Sequence, residues 1–264
     1  MECRTFRMRG HEEASGTKYV PQEYFDEWGQ RDPLENFEQF LLEEKVLTTQ
    51  KVEELRAQIK AEIEEGLELA FAEAPVTADI ELEIEDVYAP WSPSPAPAGK
   101  ESREIRFVDA ISDGLRTGMQ RHDKLVLMGQ DIADYGGVFT IMDGFVAEFG
   151  KERVRNTPLC ESAILGIGLG LSIKGWKAMV EMQFADFVSV GFNQIVNNLA
   201  KIHYRWGQTA DVVVRMPTGG GVGAGPFHSQ ANEAWFFHVP GLKIVYPATP
   251  EDAKGLLLAA LDDP

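Results

Sequence analysis

The chain has 264 residues, 44% of them apolar, which is enough for one large domain or two small ones around a sizeable core. Its formal charge is −17 and unevenly placed: residues 1–100 hold 23 acids against 10 bases, and residues 101–264 hold 19 against 15. That balance excludes a nucleic-acid binder built on clustered Lys and Arg and disfavours anionic membranes, and no apolar run reaches the roughly 18 residues of a membrane-spanning helix.

The N-terminus is polar and mixed in charge, without the order of a signal peptide. Met1 to Arg9 alternates enough to predict a short strand, followed by a loop opened by Gly10-His11 with its tip at Ser15-Gly16-Thr17. Pro21 to Trp28 reads as a short helix and Arg31-Asp32-Pro33 as a turn feeding the next one. From Thr49 to Glu73 the period is helical, with Val52, Leu55, Ile59, Ile63 and Leu67 on one stripe and Thr48 or Thr49 as N-cap. Pro90, Pro93, Pro95 and Pro97 then mark a semi-rigid linker between two dissimilar halves.

After the linker, strands and helices alternate as in α/β proteins. Ile105 to His122 is helical, Leu125 to Gly129 a short apolar strand, and Asp131 to Phe139 a loop with a Gly136-Gly137 pair. A short helix falls within Val138 to Phe149, and Glu161 to Lys174 is a buried helix ended by Gly175. A strand at Trp176 to Met182, a helix at Phe187 to His203 and a strand at Asp211 to Met216 follow. Thr218 to Gly225 is a glycine-rich loop, leading to a helix at Ser229 to His238, a strand at Leu242 to Tyr246 and a helix at Pro250 to Leu261. This order predicts a mainly parallel sheet with helices on both faces and a ligand at the strand C-terminal ends. No internal repeat is evident.

Glu161 is the first candidate. It follows Asn156-Thr157-Pro158-Leu159-Cys160 and opens an apolar, glycine-rich helix with little room for water. A carboxyl desolvated there suits proton exchange with a ring nitrogen. The plainer alternative is a helix-start glutamate that only complements the helix dipole. His228, directly after the glycine-rich loop, is a candidate acid or base, or else a capping histidine. One aromatic of Gln183-Phe184-Ala185-Asp186-Phe187 is placed to wall a flat ring, although core packing is the commoner role. His11 lies in a polar loop, where a lone histidine is usually only solvated.

Neither glycine cluster has the spacing of a nucleotide-binding loop: Gly166-Ile167-Gly168-Leu169-Gly170 falls inside a helix, and Gly219 to Gly225 has no Walker ending. Cys3 and Cys160 lack metal spacing and fit a reducing, cytoplasmic setting.

In order, Gly129-Gln130-Asp131, Tyr135-Gly136-Gly137-Val138-Phe139, Asn156 to Glu161, Gln183 to Phe187, Pro226-Phe227-His228-Ser229-Gln230 and Pro240-Gly241-Leu242-Lys243 resemble one family across essentially all of 103–264. It is the β subunit of the thiamine-diphosphate-dependent 2-oxo acid dehydrogenases, the decarboxylating component of multienzyme complexes. Glu2 to His11 and Arg31-Asp32-Pro33 resemble the end of the α subunit of the same enzymes. The resemblance therefore implies three parts: residues 1–87, an α-subunit-like tail; 88–102, the linker; and 103–264, a parallel-sheet, transketolase-like pyrimidine-binding domain. That order implies a fused α–β polypeptide, of which the chain is an internal slice ending at Asp262-Asp263-Pro264, ahead of the β subunit's C-terminal domain.

By the same resemblance, Glu161 hydrogen-bonds the cofactor's aminopyrimidine, Leu159 and Gln183 line its pocket, and Phe187 stacks on it. His228 handles protons or binds the acyl intermediate, and His11 sits in the mobile loop over the diphosphate and lipoyl entry. Where several mammalian members carry a phosphorylatable Ser after that His, this chain has Glu12. Some members hold potassium through backbone carbonyls, which match Val212, Ala260, Leu261 and Asp263. The diphosphate and magnesium are held by a GDG…N segment of the α subunit that this sequence lacks, so the chain alone is expected not to decarboxylate.

The implied partners are a lipoyl domain of a dihydrolipoyl acyltransferase and a second copy of the fused chain, with neither nucleic acid nor membrane. Gln183 to Phe187 leans to branched-chain 2-oxo acids, with pyruvate second and acetoin-cleaving relatives open. The alternatives are a non-catalytic assembly module or another transketolase-like enzyme.

Overall fold

A computed structural model describes residues 4–11, 14, 16–92 and 102–264, in two compact units, Met1–Thr77 and Ala78–Pro264. Cys3, Glu12 and the linker prolines Pro93, Pro95 and Pro97 lie outside the described residues.

The first unit is helical: α1 (Gln22–Gly29), α2 (Pro33–Glu43) and α3 (Thr49–Ala72). The starts are encoded locally. Asp32 accepts from the N–H groups of Leu34 and Glu35 with Pro33 in the first turn, and the Thr48 hydroxyl accepts from Lys51 N–H. Arg56 of α3 reaches Glu38 of α2 at 2.8 Å. No strand forms over residues 4–9; instead Phe6 packs on Tyr24, Phe25 and Trp28. The α3 stripe is not a core face in this unit. Val52 is buried, but Ile59, Ile63 and Leu67 are 54%, 57% and 49% exposed.

The second unit starts with α4 (Ile80–Glu85), ahead of the linker that composition marks. This stretch is tied down: Glu83 accepts from the Tyr204 hydroxyl, Tyr88 donates to the Leu242 carbonyl at 3.4 Å, and the Lys243 ammonium lies over the Tyr88 and Trp91 rings. The hydrogen bond to the Glu83 carboxylate raises the Tyr204 phenol above its ordinary range.

The main elements then follow as α5 (Phe107–Arg121), β1 (Leu125–Gly129), α6 (Phe145–Phe149), β2 (Val154–Asn156), α7 (Glu161–Ile173), β3 (Lys177–Glu181), α8 (Val188–Asn193), α9 (Ile202–Trp206), β4 (Val212–Arg215) and α10 (Pro250–Asp262). The four strands form one sheet in the order β2-β1-β3-β4, and every pairing is parallel.

Both faces of that sheet are covered, and alternation along each strand sorts the side chains. Leu125, Leu127, Met179 and Val213 join Leu115, Met119, Phe145 and Leu261 on the face of α5, α6 and α10. Val126, Met128, Ala178, Val180, Val212 and Val214 join Ile164, Leu165, Val188 and Ile195 on the face of α7 and α8. Double coverage is why the strands read as apolar runs rather than as apolar–polar alternation. Gly168 is the close-packed member of the α7 glycines, since a Cβ there would sit 3.1 Å from Val180 Cγ1.

Three further expected elements differ. The helix expected over Phe187 to His203 is broken: α8 passes into a π-helical turn at Gln194–Leu199, where Ala200 N–H bonds the Ile195 carbonyl at 2.9 Å, and α9 follows. The Pro240-Gly241 turn packs against this break. Gly241 has φ +93°, and a Cβ there would lie 2.0 Å from the Ala200 carbonyl oxygen, so only glycine fits. No helix forms at Ser229 to His238, only a 3₁₀ turn at Glu233–Trp235, because Gln230 and Asn232 bond across to the turn after β3. Leu242 to Tyr246 makes no ladder; the Leu242 carbonyl takes the Tyr88 hydroxyl instead.

Leu127 is fully buried in the central strand, so Leu127→Ala is expected to cost about 2–5 kcal/mol in urea unfolding. Ile59→Ala, on the exposed α3 stripe, is expected to stay within about 0.5 kcal/mol.

Candidate active site

Because all four strands run the same way, their C-terminal ends share one edge. Gly129 stands opposite both Asn156 and Glu181, and Glu181 opposite Arg215. The residues that follow each strand are delivered to that edge, where open α/β sheets bind ligands.

Glu161 is the first residue of α7 and 5% exposed. Gln130, directly after β1 and 6% exposed, donates from Nε2 to Glu161 Oε1 at 3.0 Å. Oε2 has no hydrogen-bond partner among the described residues. A surface glutamate would serve the helix dipole equally well; a desolvated one, steered by a buried amide and left with an open oxygen, is arranged to meet a further polar group. The α8 helix closes on its backbone, with a Cβ at Gly191 falling 3.5 Å from the Glu161 carbonyl oxygen.

A second carboxylate at this edge is already committed. Glu181, 3% exposed, accepts at Oε2 from Arg215 Nε at 3.0 Å and Nη2 at 2.5 Å. Its Oε1 lies where Gly137, at φ +80°, passes: a Cβ there would stand 3.0 Å away. The Thr157 hydroxyl, in the turn from β2 to α7, is buried without a partner among the described residues.

His228 is half-buried and gripped by aromatics. Its ring meets Phe184 edge-on at 4.9 Å and Phe187 at 5.3 Å, and Phe139 completes the cluster against Phe184. Phe187 therefore presents its ring within a wall shared with His228.

The remaining candidates fall in different places. Gln183 is half-buried just past β3, whereas Leu159 is 80% exposed in the turn before α7. His11 lies in the first unit, its N–H donating to the Tyr19 hydroxyl at 2.7 Å and its Nδ1 3.2 Å from Arg7 Nη1. Val212 opens β4, while Ala260, Leu261 and Asp263 lie at the end of α10. That helix end is at the opposite, N-terminal edge of the sheet, since His122 just before β1 reaches Asp262 at 2.8 Å. Asp263 there bonds the Lys243 ammonium at 2.6 and 2.8 Å. Among the described residues no group of three or more His, Cys, Asp or Glu side chains is gathered to hold a metal ion. No helix among them is long and apolar enough to cross a membrane.

Sequence reasoning had given Gln130, Glu181 and Arg215 no individual role. The signal was available: a polar residue at or just past the end of a fully buried parallel strand stands at the ligand edge.

An all-parallel sheet covered on both faces, with a buried, partly bonded acid at its C-terminal edge, defines an α/β ligand-binding domain. Residues 103–264 match the family model for the transketolase pyrimidine binding domain, and residues 1–79 match that for the dehydrogenase E1 component. The chain belongs to the transketolase pyrimidine-binding family, whose match covers more than half of it.

The 2-oxoisovalerate dehydrogenase subunit beta of Bacillus subtilis (strain 168) is 47% identical over 163 residues, covering 60% of this chain and 49% of that protein. The mitochondrial 2-oxoisovalerate dehydrogenase subunit beta 2 of Arabidopsis thaliana is 40% identical over 168 residues, covering 62% and 47%. The pyruvate dehydrogenase E1 component subunit beta of Leifsonia xyli subsp. xyli (strain CTCB07) is 41% identical over 177 residues, covering 65% and 52%. The chain thus spans about half the length of these curated relatives.

Removing Arg215 would leave Glu181 charged, buried and unpaired. Arg215→Met is expected to cost about 3–5 kcal/mol in denaturant unfolding, whereas the double change Arg215→Met with Glu181→Leu recovers most of it.

Proposed function

We propose that residues 103–264 form the pyrimidine half-site of a thiamine-diphosphate-dependent 2-oxo acid dehydrogenase, with Glu161 as the acid that exchanges a proton with the aminopyrimidine ring. The observation that carries this reading is the Glu161 carboxyl itself, buried, steered through Oε1 by Gln130 and open at Oε2. A ring nitrogen is a partner that such an oxygen can share a proton with at short range. When held beside Glu161, Gln183 and Phe187, thiamine diphosphate would supply a carbon nucleophile for 2-oxo acid chemistry.

Within this proposal Gln130 fixes the rotamer of Glu161, so that its free oxygen faces the edge rather than its own helix. Gln183 and Leu159 border the ring, and Phe187 provides the apolar wall it lies against. Leu159 is too exposed to enclose the ring from within this chain alone and would do so only with a partner surface over it. His228 handles the proton near the 2-oxo acid, and His11 serves lipoyl entry in the assembled enzyme.

The diphosphate and magnesium are assigned to a GDG…N segment that this sequence lacks, and potassium to the carbonyls of Val212, Ala260, Leu261 and Asp263. The last carbonyls of α10 have no partners within the helix, which suits a cation. The acyl group passes to the lipoyl domain of a dihydrolipoyl acyltransferase, in an assembly with two copies of the fused chain. The three-part division at 87 and 102 belongs to the same proposal.

Branched-chain 2-oxo acids are the favoured substrates, supported by the relative at 47% identity, whose name is that of a 2-oxoisovalerate dehydrogenase subunit. Pyruvate is the second reading, supported by the relative at 41% identity.

The test uses the full-length polypeptide, with 2-oxoisovalerate or pyruvate, an artificial electron acceptor, and thiamine diphosphate with magnesium present or withheld. Cofactor-dependent turnover favouring 2-oxoisovalerate is expected, and Glu161→Gln should lower it by about 10²-fold or more while the fold is kept. Near-normal turnover in folded Glu161→Gln would falsify the role given to this acid.

A further inference from the structure

The glycine-rich loop 218–229 that carries His228 is closed by a few bonds of its own, the Thr218 hydroxyl to the Gln230 carbonyl, Gln230 Nε2 to the Pro226 carbonyl at 3.0 Å and His228 N–H to the Gly225 carbonyl at 3.3 Å, but its glycines pack against nothing. Cβ atoms placed at Gly219, Gly220, Gly221, Gly223 and Gly225 would meet nothing within 4 Å. Both ends of the loop are nevertheless fastened to a single turn, Ala185–Phe187, just past β3. Before the loop, the Ala185 N–H donates to the Pro217 carbonyl at 2.9 Å. After it, Asn232 Nδ2, 4% exposed as a residue, donates to the Ala185 carbonyl at 2.8 Å, and the Gln230 N–H donates to Asp186 Oδ1 at 3.3 Å. Phe184, just before this turn, and Phe187, its last residue, meet the His228 ring edge-on.

Asp186 is the unusual member of this arrangement. It is 8% exposed, and its second oxygen, Oδ2, is buried without a partner among the described residues. A buried carboxylate with half of its accepting capacity unused is costly, and packing alone would be served better by an apolar side chain. The oxygen that is used holds the backbone two residues beyond His228, and it is the bond that ties Gln230 to the turn bearing the aromatic wall, whereas the Thr218 and Pro226 bonds of Gln230 stay within the loop.

We propose that Asp186 is the positioning residue for His228. The tether at Gln230 and the companion tether from Asn232 keep the imidazole seated between Phe184 and Phe187, instead of leaving it to the freedom of a chain with five glycines in seven residues. Its consequence for turnover rests on the reading of His228 as the proton-handling group, while the placement itself does not.

The test is diethylpyrocarbonate labelling of the 264-residue chain, read by peptide mass spectrometry at each of its five histidines. His122, fixed to Asp262 at the other edge of the sheet, is the internal standard. Asp186→Ala is expected to raise the His228 rate relative to His122 about tenfold, the factor that one hydrogen bond of ordinary net strength supports. Asp186→Asn, which keeps an accepting oxygen, should stay within about twofold of the parent. Should Asp186→Ala fail to fold, Asn232→Ala removes the other tether and is expected to expose His228 in the same way.

An unchanged His228 rate in whichever of the two alanine variants is folded overturns the proposal. In the assembled full-length enzyme, Asp186→Ala should lower kcat about tenfold with KM for the 2-oxo acid nearly unchanged. Full turnover in His228→Ala would overturn the role of His228 in catalysis, and would leave the labelling result to decide the role of Asp186.

Discussion

The ladder between β1 and β3 is the constraint on which the rest of the second unit depends. Both strands are buried on both faces, so neither can carry a polar side chain along its length without a partner. Polar chemistry is displaced to the strand ends, and a parallel sheet has its like ends together. The aligned Gly129 and Glu181 set where Gln130, Glu161 and the turn at Ala185–Phe187 come to lie.

At that edge, buried carboxylates are distinguished by what already holds them. Glu181 is neutralised by two bonds from one guanidinium and is closed to further partners on that oxygen. Among the described residues, Glu161 receives one neutral amide and keeps an oxygen free. Asp186 spends one oxygen on a backbone N–H and keeps the other unpaired among the described residues. The same functional group thus serves as a strut, a candidate proton donor and a tether, and the difference lies in the partners each is given. The aromatic wall of Phe139, Phe184 and Phe187 lets the one half-buried histidine of the site sit against apolar surface beside them.

Much of this was legible in the amino-acid order. The strands at Leu125, Trp176 and Asp211 and the helices at Glu161 and Pro250 were readable because burial on both faces makes apolar runs and because caps such as Thr48, Asp32 and Thr249 act locally. The differences have separate physical causes. Ser229 to His238 has a helical pattern, but its polar groups are claimed by Ala185 and Asp186, over 40 residues away in sequence. The strand β2 was missed because three residues carry no period. The α3 stripe has a helical period whether or not the chain supplies something to cover it.

The sequence by itself determined the alternation of strands and helices, the glycine breaks and the ordered motifs, because propensity, capping and periodicity act over a few residues. It also singled out Glu161 and His228. Only the tertiary structure decided that Gln130 steers Glu161, that Arg215 rather than solvent satisfies Glu181, and that one turn after β3 fastens the loop bearing His228. Those pairings join residues 31 to 47 positions apart. They exist because parallel strand ends converge in space, a consequence of chain topology that no local pattern records.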